Sequence, residues 1–500
     1  MSADWQISDT RFDVPVVIAG FNNPLSSTGG LGIVMRGSAH FFSNLSVVCH
    51  DTISSGPFQD LRSRHFVYPI CLPDRVVQGY QRDFCKTYLW PEFHEDQSSA
   101  SCEKVFDPEG VYVRQAIGCF SDEFARQVLR VADLAATPPV VWFNDYSMIS
   151  VAADFGRLSS GRFPVGISIR SSFGVSQAPQ FDQFTTKLLV NGISSADFVS
   201  VHRERDVYHL LDFVGGVLGA DSVDWVNREI IGPHRRTTIR AVQMGNCPAY
   251  WKEVGESATT RDGLKKFLSG HSTRQVLLGV SRLEQHKGIE TELEVIERLL
   301  RYFPSLRRTF TFYRITPIFP EYSMLNQYCQ LREKIEKLIV NINAEYGDDS
   351  WKPVVFVWGP SLSHEDLAVY YRAADALLVL SNADGYNHVS VEAVLTKQER
   401  DRPLSLILSD TGSSDYLSAG YARAELRSPT EMALQLERVL RSKISSRGPN
   451  HSALRRSAAA RTATDWTREV LGWITSCYAR NISGDLLDAE SENLLAKGVG

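Results

Sequence analysis

The sequence predicts an α/β protein made of two doubly wound, mostly parallel sheets, and two observations carry that reading. Short β-branched and apolar runs alternate with stretches of helical periodicity along the whole chain, the pattern of parallel strands joined by crossover helices. Five hundred residues, 43% hydrophobic and 22% charged, suffice for two domains with sizeable cores and exceed what one small binding module needs.

Taken in order, the apolar runs place strands of the first domain at residues 14–21, 45–49, 66–70, 140–144, 165–169, 197–201 and 239–243. Those of the second fall at 276–280, 309–315, 354–358, 376–380 and 404–409. The polar stretch 253–262 between the two sets is expected as a surface segment at the domain boundary. The first domain is thus drawn as residues 1–250, completed by a helix over 464–480, the second as 251–463, and 481–500 as a flexible tail. Residues 92–108, rich in Glu, Ser and Asp, are expected to form a loop. Arg441, Lys443, Arg447, Arg455, Arg456 and Arg461 form a basic run best explained as a solvated helix face and loop.

A net charge of −5 gives no global attraction to nucleic acid or to an anionic membrane, so any phosphate recognition must be local. Eight cysteines are scattered without a C-x-x-C pair or a Cys/His cluster, which suggests reduced, mostly buried thiols. The first residues carry no basic and apolar leader pattern, and no run of 18 apolar residues occurs, so a cytoplasmic protein without a membrane partner is expected. There is no Asp-x-Asp motif and hence no expected metal site.

Chemistry concentrates in three stretches of the second half. Gly279-Val280-Ser281-Arg282-Leu283-Glu284-Gln285-His286-Lys287-Gly288 puts two cations five residues apart just past an apolar strand, where a turn into a helix offers N–H groups and charge to a diphosphate. Asn341-Ile342-Asn343-Ala344-Glu345-Tyr346-Gly347 is the second. The third, Asp384-Gly385-Tyr386-Asn387-His388-Val389-Ser390-Val391-Glu392, sets two carboxylates eight residues apart across a Gly-containing turn; a helix opening there would place Glu392 about two turns in. Singly, Arg282 and Lys287 read as helix-surface cations and Asp384 as a helix cap. Their clustering favours a site.

In the first half, Ser26-Ser27-Thr28-Gly29-Gly30-Leu31-Gly32 follows the first strand, and its glycines would let backbone approach an anion closely. Leu89-Trp90-Pro91-Glu92-Phe93-His94 and Val141-Trp142-Phe143-Asn144-Asp145-Tyr146 contain tryptophans whose simplest role is core packing. Asp145 ends an apolar strand directly, the position from which carboxylates face a ligand crevice.

These motifs together resemble the trehalose-6-phosphate synthase family of glycosyltransferases, from about Val14 to Trp473. The resemblance implies a GT-B fold, with two facing Rossmann-like domains and a C-terminal helix crossing back onto the first. It implies that Arg282 and Lys287 hold the diphosphate and neutralise the leaving group, that Asp384 contacts the transferred sugar, and that Glu392 contacts the nucleotide ribose. The amides of Asn387, His388 and Val389 would complete the phosphate site. Gly29 and Gly30 would fold over the donor, with Asp145 beside the reaction and Trp90, Tyr146 and Arg170 on the acceptor side. The implied partners are a nucleotide-sugar donor, which is a substrate rather than a cofactor, and a small polar acceptor, in a monomer or homo-oligomer. No metal is required.

The departures from the family pattern gather on the acceptor side. The family's Ser-Asn-Arg after the first strand, whose Arg grips the phosphate of glucose 6-phosphate, reads Gly20-Phe21-Asn22-Asn23 here. A second phosphate-binding Arg expected after the strand at 309–315 is replaced within Thr316-Pro317-Ile318-Phe319-Pro320, and the His beside the transferred sugar becomes Arg170. In the donor motif, Ser281 and Glu284 stand where the family has aspartates. The expected activity is a retaining glycosyltransferase with an acceptor other than glucose 6-phosphate. A pseudo-glycosyltransferase joining a nucleotide-linked cyclitol to an amine, and a non-catalytic synthase-like subunit, are the alternatives.

Overall fold

Near-continuous apolar runs such as Val16–Gly20 and Val140–Asn144 are buried at every position, as strands covered on both faces must be. The computed structural model describes residues 12–23, 30–51, 58–59, 65–94, 110–174, 181–232, 235–270, 274–317, 326–359 and 362–497. Two compact units result: Met1–Gly245 with Ala463–Gly500, and Asn246–Thr462.

The first unit holds a ten-stranded sheet of β1 (Val16–Gly20), β2 (Leu45–His50), β3 (Phe58–Gln59), β4 (Phe66–Ile70), β5 (Val140–Asn144), β6 (Val165–Ser168), β7 (Phe198–Val201), β8 (Val223–Asp224), β9 (Glu229–Ile231) and β10 (Arg236–Ala241). Their order is β3-β4-β2-β1-β5-β6-β7-β10-β9-β8, parallel from β4 to β10 and antiparallel at both edges. Chain order reverses between the adjacent strands β1 and β5, so the loops leaving their carboxyl ends diverge there and open a crevice. Helix Val111–Asp133 covers one face. The helix Ala463–Lys497 covers the other, setting Trp466 5.2 Å from Trp142 and laying Trp473 flat on Phe198. Trp142 is therefore core, its indole N–H donating to Ser168 Oγ at 2.8 Å.

That last helix runs past residue 480, where the sequence places its end, through Lys497. Asn481, at the expected start of the tail, donates to Asp197 Oδ1 at 2.8 Å. Ahead of Trp90 the backbone winds as a π-helix, Gln78–Leu89, a rare geometry that recurs at functional sites.

The second unit carries a fully parallel six-stranded sheet of β11 (Gln275–Val280), β12 (Phe310–Pro317), β13 (Val354–Gly359), β14 (Ala376–Val379), β15 (Ser405–Leu408) and β16 (Tyr421–Arg423), ordered β13-β12-β11-β14-β15-β16. Here the order reverses between β11 and β14. The segment 253–262 is largely exposed, as expected, and lies within two helices, Pro248–Glu256 and Ala258–Ser269. Their cause is local: Pro248 at the first helical turn, and Ser257 Oγ accepting from Thr260 N at 3.2 Å. Only Trp251, Val254, Gly255, Thr260 and Leu264 are buried, so the composition looks like a linker's. Among the described residues no helix is long and apolar enough to cross a membrane, and the seven cysteines are free thiols.

Candidate functional site

In the second unit the reversal between β11 and β14 brings the two motif loops together. The first turns through a short 3-10 segment, Gln285–Lys287, and Gly288 at φ 71°. A side chain is excluded at Gly288, where a Cβ would stand 1.9 Å from the Leu380 carbonyl oxygen. Asn382 N donates to His286 O at 2.7 Å, stitching this loop to the one after β14. Lys287 Nζ then reaches Asp384 Oδ2 at 2.8 Å, and Asn387 Nδ2 donates to the same oxygen at 3.1 Å. With side-chain exposures of 11% for Lys287 and 9% for Asp384, this ion pair is shielded enough that losing either partner strands a charge.

Asn387 also caps the helix His388–Thr396, its Oδ1 accepting from Ser390 N at 3.0 Å. The helix thus opens three residues later than a start at Gly385 would give, and Glu392 stands one turn in rather than two. Its first amides, those of His388 and Val389, lie at the positive end of the helix, beside the Lys287–Asp384 pair. Arg282, at 39% side-chain exposure, reaches Glu284 Oε2 at 3.3 Å and is the accessible cation of the loop.

Glu392 is buried and accepts from Tyr371 OH at 3.1 Å. Burial pushes its carboxyl from the ordinary 4.5 up to about 7, against the Tyr371 hydrogen bond, which lowers it. The burial penalty is therefore absent below pH 4.5, grows as pH rises and is complete above about 7. A ligand whose hydroxyls donate to the ionised carboxylate should bind more tightly as pH rises from 6 toward 8, releasing a proton. Titration calorimetry of a nucleoside diphosphate across that range should show the rise in wild type and a flattened profile in Glu392→Gln; equal profiles would exclude Glu392 as a ligand contact.

In the first unit, the loops after β5 and β6 meet beside the reversal between β1 and β5. Asp145 adopts φ 78° and ψ 163°, a conformation costing a non-glycine residue about 1–3 kcal/mol, which marks a place the surrounding structure over-determines. Its carboxylate accepts from Tyr146 N at 2.9 Å and Arg170 N at 3.3 Å, and pairs with Arg170 Nη2 at 3.5 Å. Arg170 is 14% exposed, and its burial pulls the guanidinium below the usual range while Asp145 opposes this. Trp90 packs 5.5 Å from Tyr146 and 3.9 Å from His94.

Gly29 lies outside the described residues, as do Phe319 and Pro320; Gly30 begins the helix Gly30–Ser38. Asn341 and Ile342 of the middle motif line a groove of about 500 Å³ with Glu297, and Asn343 bonds Val354 at both amide atoms. Sequence reading missed three residues here. Lys86, nearly buried, places Nζ 3.8 Å from the centre of the Trp90 ring, one helical turn before it in sequence. Ser413 braces the Asn387 backbone with both a donated and an accepted bond, and Tyr371 meets Glu392. Only the Lys86 spacing was visible in sequence. Among the described residues no group of three or more His, Cys, Asp or Glu is gathered to hold a metal.

The profile of glycosyltransferase family 20 matches residues 37–475. A probable UDP-forming alpha,alpha-trehalose-phosphate synthase of Arabidopsis thaliana is 26% identical over 66% of this chain and 38% of its own length. This chain therefore spans well under half of that relative. The UDP-forming alpha,alpha-trehalose-phosphate synthase 2 of Aspergillus niger is 24% identical, over 70% of each chain. A solved alpha,alpha-trehalose 6-phosphate synthase from Burkholderia multivorans superposes with a TM-score of 0.79 at 19% identity, covering 94% of this chain and 100% of its own. The fold class is GT-B, as the sequence predicts.

Proposed function

The chain belongs to glycosyltransferase family 20, and from that premise we propose that it is a retaining, nucleotide-sugar-dependent glycosyltransferase whose acceptor is not glucose 6-phosphate. The observation that supports the donor half is the convergence of Lys287, Asp384 and Asn387 at the start of the helix His388–Thr396, with Arg282 accessible beside them. A nucleoside diphosphate needs cations and oriented N–H groups, and this arrangement supplies both. Asp384, oriented by two donors, keeps an acceptor oxygen for a sugar hydroxyl. Glu392 takes the ribose.

In the reaction so read, the bond between the sugar and the diphosphate breaks while the acceptor oxygen bonds to the same face of the sugar. The departing diphosphate oxygen takes the acceptor proton, and Arg282 and Lys287 offset the charge that grows on it. The resident cations do the work a divalent ion would otherwise do. On the acceptor side, Lys86 over Trp90 favours an acidic or differently phosphorylated acceptor, which Arg170 could join only by leaving Asp145.

UDP or GDP is expected to bind without divalent metal. Titration calorimetry in excess chelator should give saturable heat for one of them, and binding that strictly requires added metal would count against the site.

A further inference from the structure

Beneath the donor loop lies an ion pair that the reading above does not use. Arg314 on β12 is fully buried, and its Nε meets Glu292 Oε2 of the helix Ile289–Tyr302 at 2.6 Å. Its Nη1 donates to Ile315 O at 2.7 Å and its Nη2 to Ser281 Oγ. The Ser281 hydroxyl in turn donates to Arg282 O at 3.1 Å. The bonds form one directed relay, from a guanidinium anchored in the core to the peptide that carries Arg282.

Stability alone does not account for this pair. Burial pushes Glu292 up to about 7, opposed by Arg314, and apolar side chains of similar volume are often as stable as such a buried pair. The pair also claims space: a Cβ at Gly279 would stand 2.7 Å from Glu292 Oε2 and 2.8 Å from Arg314 Cδ. The glycine that opens the donor motif is explained by the pair beneath it, and β11 is left bare there to admit it.

We propose that Arg314 is a positioning residue for the donor loop: held by Glu292, it fixes the Arg282–Leu283 peptide through the Ser281 hydroxyl and so sets where the Arg282 guanidinium stands. This rests on Arg282 being a diphosphate ligand. Two variants test it. Ser281→Ala removes the relay and leaves the pair; Arg314→Met with Glu292→Leu replaces the pair by apolar side chains. Three quantities are measured: thermal midpoint, hydrogen exchange of the amides over 281–288 in the free protein, and affinity for UDP and GDP by calorimetry.

Both variants should keep the midpoint within about 5 °C of wild type, while exchange over 281–284 quickens and affinity falls about tenfold. Adding Arg282→Ala to either variant should then cost little more, because the contact being positioned is already lost. Unchanged exchange and affinity, or losses that simply add to those of Arg282→Ala, would overturn the proposal. Should the double replacement fail to fold, Ser281→Ala decides alone. If wild type binds neither nucleotide, the donor reading fails, and hydrogen exchange still decides whether Arg314 holds the loop.

Discussion

Alanine at Arg282 should lower turnover by roughly a hundred-fold or more, since one such contact to growing diphosphate charge is worth on the order of 3 kcal/mol of barrier. Folding should suffer less than turnover: the Arg282 side chain is 39% exposed, and its partner Glu284, 5% exposed, keeps His286 Nε2 at 3.5 Å when the guanidinium is removed. Lys287→Ala should slow turnover comparably but also destabilise, which the sequence alone does not foretell. Its partner Asp384 is 9% exposed at 2.8 Å, so removing the ammonium strands a shielded carboxylate at a cost of about 3–5 kcal/mol. Lys287→Ala combined with Asp384→Asn should regain much of that stability and none of the turnover. Thermal denaturation beside steady-state kinetics separates the two effects; near-normal turnover in either single variant would take that residue out of the mechanism.

Little or no trehalose 6-phosphate should form from a nucleotide-glucose and glucose 6-phosphate. A phosphate dianion needs cations or several oriented donors, and asparagines stand at Asn22 and Asn23 while Phe319 and Pro320 occupy the second expected Arg position. Each missing charged bond is worth roughly 1–3 kcal/mol, so two together depress turnover by about two orders of magnitude or more. Arg170 is committed to Asp145 at 3.5 Å and would have to leave that carboxylate to compensate. Mass spectrometry of the disaccharide phosphate decides: efficient turnover restores a plain trehalose-phosphate synthase. Formation of a C–N bond between a nucleotide-linked cyclitol and an amine favours the alternative.

The central strands were legible because strands covered on both faces are written as apolar runs; β11, predicted at 276–280, spans Gln275–Val280. The short strands β3, β8, β9 and β16 were not, being two or three residues long with no run to detect. The polar helices Pro248–Glu256 and Ala258–Ser269 passed for a linker, although Pro248 and Ser257 marked their starts. At the site, Arg282, Lys287 and Asp384 were visible as motif residues. Their sharing a site followed from their clustering, but the direct Lys287–Asp384 contact did not, because it depends on β14 lying beside β11. Arg314 and Glu292 gave no signal at all: a charged residue inside an apolar strand is interpretable only once its partner on another element is seen.

Release of nucleoside diphosphate by the purified protein tests the central claim most directly. UDP-glucose and GDP-glucose are each supplied with a panel of acidic, phosphorylated and amine-bearing acceptors, and nucleotide and coupled product are followed together by mass spectrometry. One donor should yield diphosphate in step with product, and Arg282→Ala should suppress both alike. Saturable nucleotide binding with no release from either donor, under any acceptor, would contradict an enzyme and leave a nucleotide-binding subunit in its place.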